Sequence, residues 1–234
     1  MPKLTSLRCT GREARSCFAF IDGVSMTDTY RTLADEATAT LKREGSRFLA
    51  EAVPVPDRAA AEARIATVCK REHKATHHCS AYRVGRENDT FHYDDDGEPS
   101  GTAGQPILRR IDGRTLTNAL VVVTRYFGGT ELGTGGLARA YGDAADAALD
   151  RAKIVERVVR TPVRVRFDYD DTRAAQQALR RFDAEVDDSE YTDVTEWTVG
   201  VRASEVDAFL EAFRNALSAR GEVLSVGGGE GERQ

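Results

Sequence analysis

Two glycine-rich segments around one apolar run constrain the fold of this chain more than any other feature. Ten of the twenty glycines lie between Asp94 and Gly142, most of them in segments 94–106 and 125–137. The apolar run Ala119–Tyr126 leads into the second segment. Glycine clusters are typical of backbone that needs a positive φ or a close approach by another group, whereas ordinary connections are short. We therefore expect two long loops that share one surface site.

The overall composition is that of a soluble globular protein. The chain has 234 residues, a formal net charge of −5 and 41% hydrophobic residues. No apolar run reaches the roughly 18 residues of a membrane span, and the N-terminus lacks the apolar core of a secretory signal. We therefore expect a cytoplasmic protein with no membrane partner. The four cysteines show neither C-x-x-C spacing nor the density of a disulfide scaffold, which predicts reduced thiols: Cys9, Cys17, Cys69 and Cys79.

Charge is unevenly distributed in the second half of the chain. Segment 151–181 has nine Arg or Lys residues against four acids, and segment 182–211 has ten acids against one Arg. Such asymmetry predicts a local basic patch on an otherwise acidic protein. The alternative is solvated charge on two different faces.

The first part of the chain predicts a mixture of strands and helices. Segments 37–42 and 47–55 suit a strand pair, although a helix over 29–42 competes. Asp57 is a candidate N-cap for a helix that runs to Glu72. The other expected elements are strands at 79–84, 90–93 and 119–126, and helices at 106–111 and 137–153.

The second glycine segment is expected to join a strand to a helix that begins at Leu137. Unsatisfied N–H groups and the helix dipole favour an anion at such a position. The segment matches neither G-x-x-x-x-G-K-[ST] nor G-x-G-x-x-G. Its N–H groups, helped by Arg125 and Arg139, predict a phosphate or carboxylate site. A purely structural tight connection is the alternative.

The last third of the chain predicts a second α+β module. Alternating apolar residues at 163–169 and 195–201 indicate half-buried strands, and Ser204 with Asp207 resembles a capping box. With further strands at 185–191 and 222–226, the order is β-α-β-β-α-β, which is typical of a ferredoxin-like fold. The expected division is an extension that is disordered or spurious, a first domain, a second domain and a flexible tail: 1–25, 26–157, 158–226 and 227–234.

Two groups of polar residues are candidates for chemistry. His77 and Cys79 point to one face of a strand and suggest a metal site, although structural histidines are the alternative. Asp95, Asp96 and Glu98 suit Mg²⁺ binding or acid–base catalysis. Equally, they suit capping of loop and helix N–H groups.

Several motifs in order resemble the YigZ/IMPACT family (UPF0029 type) in its bacterial two-domain form. They are His77-His78-Cys79, Asp95–Pro99, Gly101–Pro106, Val122–Tyr141 and, earlier, Ser46–Phe48. The resemblance covers about 29–226. It implies an α+β protein with a ribosomal-protein-S5 domain-2-like N-terminal domain, followed by a small ferredoxin-like domain similar to the last domain of elongation factor G.

The resemblance also implies a role in translation. Eukaryotic members of the family are translational regulators, but through an additional N-terminal domain that this sequence does not show, so the role does not transfer directly. For bacterial members, nucleic-acid or ribosome binding is inferred mainly from the fold. Asp94 stands where many relatives have serine, and Gln105 where many have lysine or arginine. Both departures make the first segment less positive.

The leading hypothesis is therefore a non-enzymatic, translation-linked protein that binds RNA or a ribosome-associated partner, with no cofactor and an open oligomeric state. The alternatives are an enzyme acting on a phosphate- or carboxylate-bearing small molecule, with the three acids as metal ligands or acid and base, and a protein-interaction module. The candidate binding residues are His77, His78, Asp95, Asp96, Glu98, Thr102, Arg125, Gly128, Gly129, Gly133, Gly135, Gly136 and Arg139.

Overall fold

Two α+β domains, each built on an antiparallel sheet, make up the described chain. The computed structural model describes residues 28–85, 90–218 and 220–227. The expected extension at 1–25 lies outside these residues, as do Cys9, Cys17 and the tail from residue 228 onward. None of the helices in the described ranges has the length and apolar character needed to cross a membrane.

The first domain contains a five-stranded sheet with helices on both faces. Its elements are β2 (Ala37–Arg43), β3 (Ser46–Pro54), α1 (Arg58–Arg71), β4 (His77–Val84), β5 (Thr90–Asp94), α2 (Gly104–Gly113), β6 (Ala119–Tyr126) and α3 (Gly133–Leu149). The strand order is β2-β3-β6-β4-β5. The strand pair expected at 37–55 is thus confirmed, and the competing helix is wrong.

The central strand β6 is buried on both faces, which explains why its sequence does not alternate. Val121 and Val123 lie in the core beneath α2 and α3, whereas Leu120 and Val122 lie in the core beneath α1. The expected helix cap before α1 is confirmed, because the Asp57 carboxylate accepts from the N–H of Ala60 at 2.7 Å.

The start of α3 differs from the expectation. The helix begins at Gly133 and not at Leu137, so Gly133, Gly135 and Gly136 belong to its first turn. The low helix propensity of these glycines predicted a loop. The burial of the apolar face of α3 stabilises the helix, and its first turn includes them. The helix ends at Leu149, earlier than the expected Lys153.

The second domain has the ferredoxin-like arrangement that the sequence predicted. Its elements are β8 (Arg160–Phe167), α4 (Thr172–Leu179), β9 (Glu185–Tyr191), β10 (Thr195–Arg202), α5 (Val206–Ala216) and β11 (Glu222–Val226). The antiparallel order β11-β8-β10-β9 is that of a split β-α-β fold. The capping box is wrong: the N–H and hydroxyl of Ser204 donate to the Asp28 carboxylate.

Oppositely charged segments of the second domain neutralise each other. Arg160 pairs with Asp183 at 3.1 Å, and Arg164 and Arg166 pair with Glu196 at 3.1 and 2.6 Å. Strand β8 therefore carries no continuous free basic patch, because its neighbour β10 and the segment before β9 supply the counter-charges. In the described ranges, no ion pair involves the other exposed cations of the basic segment: Arg151, Lys153, Arg157, Arg173, Arg180 and Arg181.

A short antiparallel ribbon was not predicted. It consists of β1 (Thr29–Leu33) and β7 (Ile154–Val158), which pair from Thr29 with Val158 to Leu33 with Ile154. The expected domain boundary between residues 157 and 158 falls inside β7. The ribbon thus joins the beginning of the described chain to the segment between the two domains.

Candidate functional site

The first glycine segment and the end of β6 meet at one end of the five-stranded sheet. Strand β4 begins where β6 ends, so His77 lies opposite Arg125 in the register. The loop after β5 folds back over this end, and Glu98 and Asp96 reach the two strands. The structure therefore brings the residues of the first segment together with both histidines and Arg125.

Arg125 and Glu98 form a buried ion pair at the centre of this end. The Arg125 Nη1 donates to Glu98 Oε1 at 2.6 Å, and the side chains are 6% and 4% exposed. The hydroxyl of Tyr141 donates to the same oxygen at 2.7 Å. Arg125 is therefore held by an internal carboxylate and does not face solvent as a free anion ligand, contrary to the role expected from sequence.

Asp95 caps the start of α2. Its carboxylate accepts from the N–H groups of Gly101, Ala103 and Gly104 at 2.7, 2.9 and 2.8 Å. Thr102 is also used within the loop, because its hydroxyl donates to the carbonyl of Pro99 at 2.6 Å. These contacts fit the capping alternative, and they occupy the donors with which α2 would bind an anion.

We expect Asp95→Ala to lower the free energy of unfolding by about 2 kcal/mol, the upper end of the range for helix caps, because three N–H groups lose their acceptor. Urea denaturation followed by far-UV circular dichroism measures the change. Asp95→Asn keeps one side-chain oxygen and is expected to lose about half as much, within the same range. Equal losses in the two variants would contradict the capping role.

The two histidines are bound by the loop and by α1. The Nδ1–H of His77 donates to the carbonyl of Asp96 at 2.6 Å, and the backbone N–H of His78 donates to the Asp96 carboxylate at 2.6 Å. The ring Nε2 of His78 lies 3.2 Å from the carbonyl of Glu72. The ring of His77 and the backbone of His78 therefore hold the first glycine loop on the sheet, while the ring of His78 lies against the residue that ends α1.

The acidic side chains at this end of the sheet are engaged by other groups of the protein. In the described parts of the chain, no three His, Cys, Asp or Glu side chains lie close enough to hold a metal ion. Asp95, Asp96 and Glu98 each have protein partners, as given above. Cys79 is buried, its Sγ–H donates to the carbonyl of Asp95, and burial raises the pKa of its thiol. The enzyme alternative thus loses the three free acids on which it depended.

The start of the second glycine segment is hydrogen-bonded to β3 and to the residue before β4. The N–H of Gly128 donates to the Ser46 hydroxyl at 3.2 Å, and the N–H of Phe127 donates to the Thr76 hydroxyl at 3.1 Å. A Cβ on Gly128 would lie only 1.9 Å from the carbonyl carbon of Gly45. The absence of a side chain at Gly128 is thus required by close backbone packing. Gly129 has a φ of +89° and faces open space.

The first turn of α3 is exposed, as is the loop 127–131 that leads into it. Its N-cap residue Leu132 provides no side-chain hydrogen bond, and the first turn contains no acidic residue. Apart from the chain neighbours and the nearby backbone of the helix itself, no described atom lies within 4 Å of a Cβ built on Gly133 or Gly135. Arg139 is exposed and lies on the same helical face as Gly135, four residues earlier. The first N–H groups of a helix have no partner within it, and Arg139 lies one turn further along the same face, so this turn is a candidate anion site.

Sequence reasoning missed two residues that matter at this end of the sheet. Tyr141 binds Glu98 from within α3, and a tyrosine on the alanine-rich buried face of a helix is a signal for a polar partner. Phe127 is 49% exposed although it directly follows the buried strand β6. An aromatic residue between a valine-rich strand and a pair of glycines was the available signal for an exposed ring.

Fold and site together define a two-domain α+β protein with a candidate anion-binding helix start on its first domain. Residues 44–149 match the Impact N-terminal domain, and residues 165–220 match a domain of unknown function, DUF1949. IMPACT family member YvyE of Bacillus subtilis is 33% identical over 198 residues, which cover 85% of this chain and 91% of that protein. This chain belongs to the IMPACT family.

Two further similarities agree with this assignment. IMPACT family member YigZ of Escherichia coli is 32% identical over 166 residues, 70% of this chain and 81% of that protein. A crystal structure described as a hypothetical protein aligns with 85% of this chain and 97% of its own, with 28% identity and a TM-score of 0.66. The similarity therefore extends over both domains.

Proposed function

We propose that this protein is a translation-linked regulator that binds RNA through the first turn of α3. The observation that carries the proposal is the glycine-lined helix start, which has no side-chain cap and no acidic residue. Membership of the IMPACT family supports the link to translation, because the family includes translational regulators; the RNA contact proposed here is independent of the additional N-terminal domain of the eukaryotic members.

The physical basis of binding is the free end of a long helix. The first N–H groups of a helix have no partner within it, and the aligned peptide dipoles place partial positive charge there. Helix α3 has 17 residues, and Gly133 and Gly135 leave the approach to its N-terminus open. Arg139 adds a full positive charge on the same side. A phosphate group meets both requirements, for hydrogen-bond acceptors and for negative charge.

The exposure of the turn favours the phosphate backbone of a polymer. Gly133, Thr134 and Gly135 are all exposed, whereas sites for small molecules are generally enclosed clefts. The carboxylates nearest to this end of the sheet are committed to protein partners and offer no free acid–base pair. Glu131, exposed in the preceding loop, opposes the binding of an anion. Affinity should therefore depend strongly on ionic strength.

We expect the protein to bind an unstructured RNA strand with an affinity that falls steeply as salt rises, because bound phosphates release counterions. Arg139→Ala is expected to weaken binding and to reduce the slope of log affinity against log salt by about 1. Gly135→Asp is expected to weaken binding further, since it places a negative charge in the turn while remaining compatible with a helix start. Fluorescence anisotropy of a labelled strand measures both effects.

Arg173→Ala is the matched control for Arg139→Ala. Arg173 is an exposed arginine of α4 in the second domain, with no ion pair among the described residues. Its loss should leave both affinity and salt slope unchanged. Salt-independent binding, or equal effects of the two arginine substitutions, would refute the proposed site.

A further inference from the structure

The exposed ring of Phe127 lies at the start of the loop that leads into the proposed phosphate site. Five residues separate it from Gly133, where α3 begins. The hydrogen bonds of Phe127 and Gly128 to Thr76 and Ser46 hold the backbone at the ring. The ring itself is 49% exposed and therefore accessible to a ligand.

One face of this ring is supported by a buried cation. The guanidinium carbon of Arg125 lies 5.4 Å from the centroid of Phe127 and 5.6 Å from that of Phe48. The hydrogen bond to Glu98 fixes the position of that guanidinium. The Arg125 guanidinium thus contacts the buried ring of Phe48 and the exposed ring of Phe127, and Phe127 is the ring that reaches solvent.

The charges around the ring select the kind of ligand. The charge of Arg125 beneath it is balanced by Glu98, whereas Arg139 on α3 and the positive end of the α3 dipole repel a second cation. Arg47, whose guanidinium carbon lies 4.4 Å from the centroid of Tyr126, adds positive charge at the neighbouring strand position. A flat, uncharged ring that is attached to a phosphate fits both the aromatic surface and the charges.

We infer that Phe127 stacks against an unpaired nucleobase, so that the protein selects single-stranded over double-stranded RNA. The inference rests on the proposed function, because the phosphate of the bound strand is placed at α3. In a duplex the bases are stacked on one another, whereas in single strands they are free to stack on aromatic side chains. The Arg125–Glu98 pair acts as a positioning element for the ring.

The test compares one unstructured RNA strand with the same strand annealed to its complement, at low and at near-physiological salt. Wild-type protein is expected to bind the single strand at least about tenfold more tightly than the duplex. Phe127→Leu, which keeps an apolar side chain but removes the flat ring, is expected to weaken single-strand binding about tenfold without changing the salt slope. Phe127→Tyr should retain the preference.

A fluorescent base analogue in the strand reports stacking directly, and its quenching should be lost in Phe127→Leu. Salt-dependent RNA binding that is unaffected by Phe127→Leu would overturn this inference and leave the proposed function standing. Equal affinity for single strand and duplex would overturn it as well. Competition by adenosine monophosphate as effective as that of the strand would assign the surface to free nucleotides instead. No binding of either RNA by wild-type protein would overturn both proposals.

Discussion

Replacing Glu98 with glutamine is expected to lower the free energy of unfolding of the first domain by about 3–5 kcal/mol. The substitution keeps the shape of the side chain but leaves the Arg125 guanidinium buried without a counter-charge. Arginine does not lose its proton in proteins, so deprotonation cannot neutralise the buried charge. The Tyr141 hydroxyl keeps an acceptor but loses a charged one.

The measurement needs a separate readout for each domain. Urea denaturation followed by far-UV circular dichroism reports both domains, whereas Trp197, the only tryptophan of the sequence, lies in the core of the second domain. Glu98→Gln should move the unfolding of the first domain, seen by circular dichroism, to lower urea concentration. It should leave the transition seen by Trp197 fluorescence, which reports the second domain, unchanged. Hydrogen exchange at the β6 amides gives an independent check on the first domain.

Two controls test whether the loss comes from leaving a buried charge without a partner. Glu62→Gln removes the partner of Arg58 in an exposed ion pair and should cost less than about 1 kcal/mol. The double substitution Glu98→Leu with Arg125→Met removes both buried charges and should recover much of the loss, because apolar pairs of similar volume often replace buried ion pairs without penalty. A loss in Glu98→Gln no larger than that in Glu62→Gln would contradict the importance of burial.

Gly128→Ala is expected to destabilise the first domain by about 3 kcal/mol or more, at the upper end of the cost of overpacking. The added Cβ would lie 1.9 Å from the carbonyl carbon and 2.1 Å from the carbonyl oxygen of Gly45. Both atoms belong to backbone, so no side-chain rotation relieves the clash. The turn between β2 and β3 would have to move away from the end of β6.

Alanine substitutions of two other glycines of the same segment are the controls. The stability of all three variants is measured by thermal and urea denaturation. Gly129→Ala meets open space but keeps a φ of +89°, so it should cost only about 1–2 kcal/mol. Gly135→Ala meets open space inside α3 and should raise stability by about 0.5–1 kcal/mol. A cost for Gly128→Ala no greater than that for Gly129→Ala would show that the close approach is not limiting.

Local patterns in the sequence predicted most of the elements correctly. The Asp57 cap, the buried strand at 119–126 and the alternating strand that begins at Thr195 all depend on neighbours within a few residues. Periodicity and capping act over this range, so their signals are visible without a structure. The ferredoxin-like order of the second domain follows from the same kind of signal.

Contacts between distant segments were not predictable in this way. Segments 29–33 and 154–158 form a ribbon only because the fold of the first domain brings its two ends together. Glu98 and Arg125 were both candidate residues, but the sequence does not show that they neutralise each other. The glycines of α3 were assigned to a loop because propensity acts locally, whereas the buried face of the helix that places them is a tertiary feature.

The ribbon of β1 and β7 also has a consequence for modular construction. Because Thr29 pairs with Val158, the backbone enters and leaves the first domain at neighbouring points. Domains whose ends lie close together tolerate insertion into, or fusion with, other chains. The second domain starts directly after this exit, at Arg160. The first domain is therefore a unit whose attached partner could be exchanged in evolution, or in the laboratory, without interrupting its sheet.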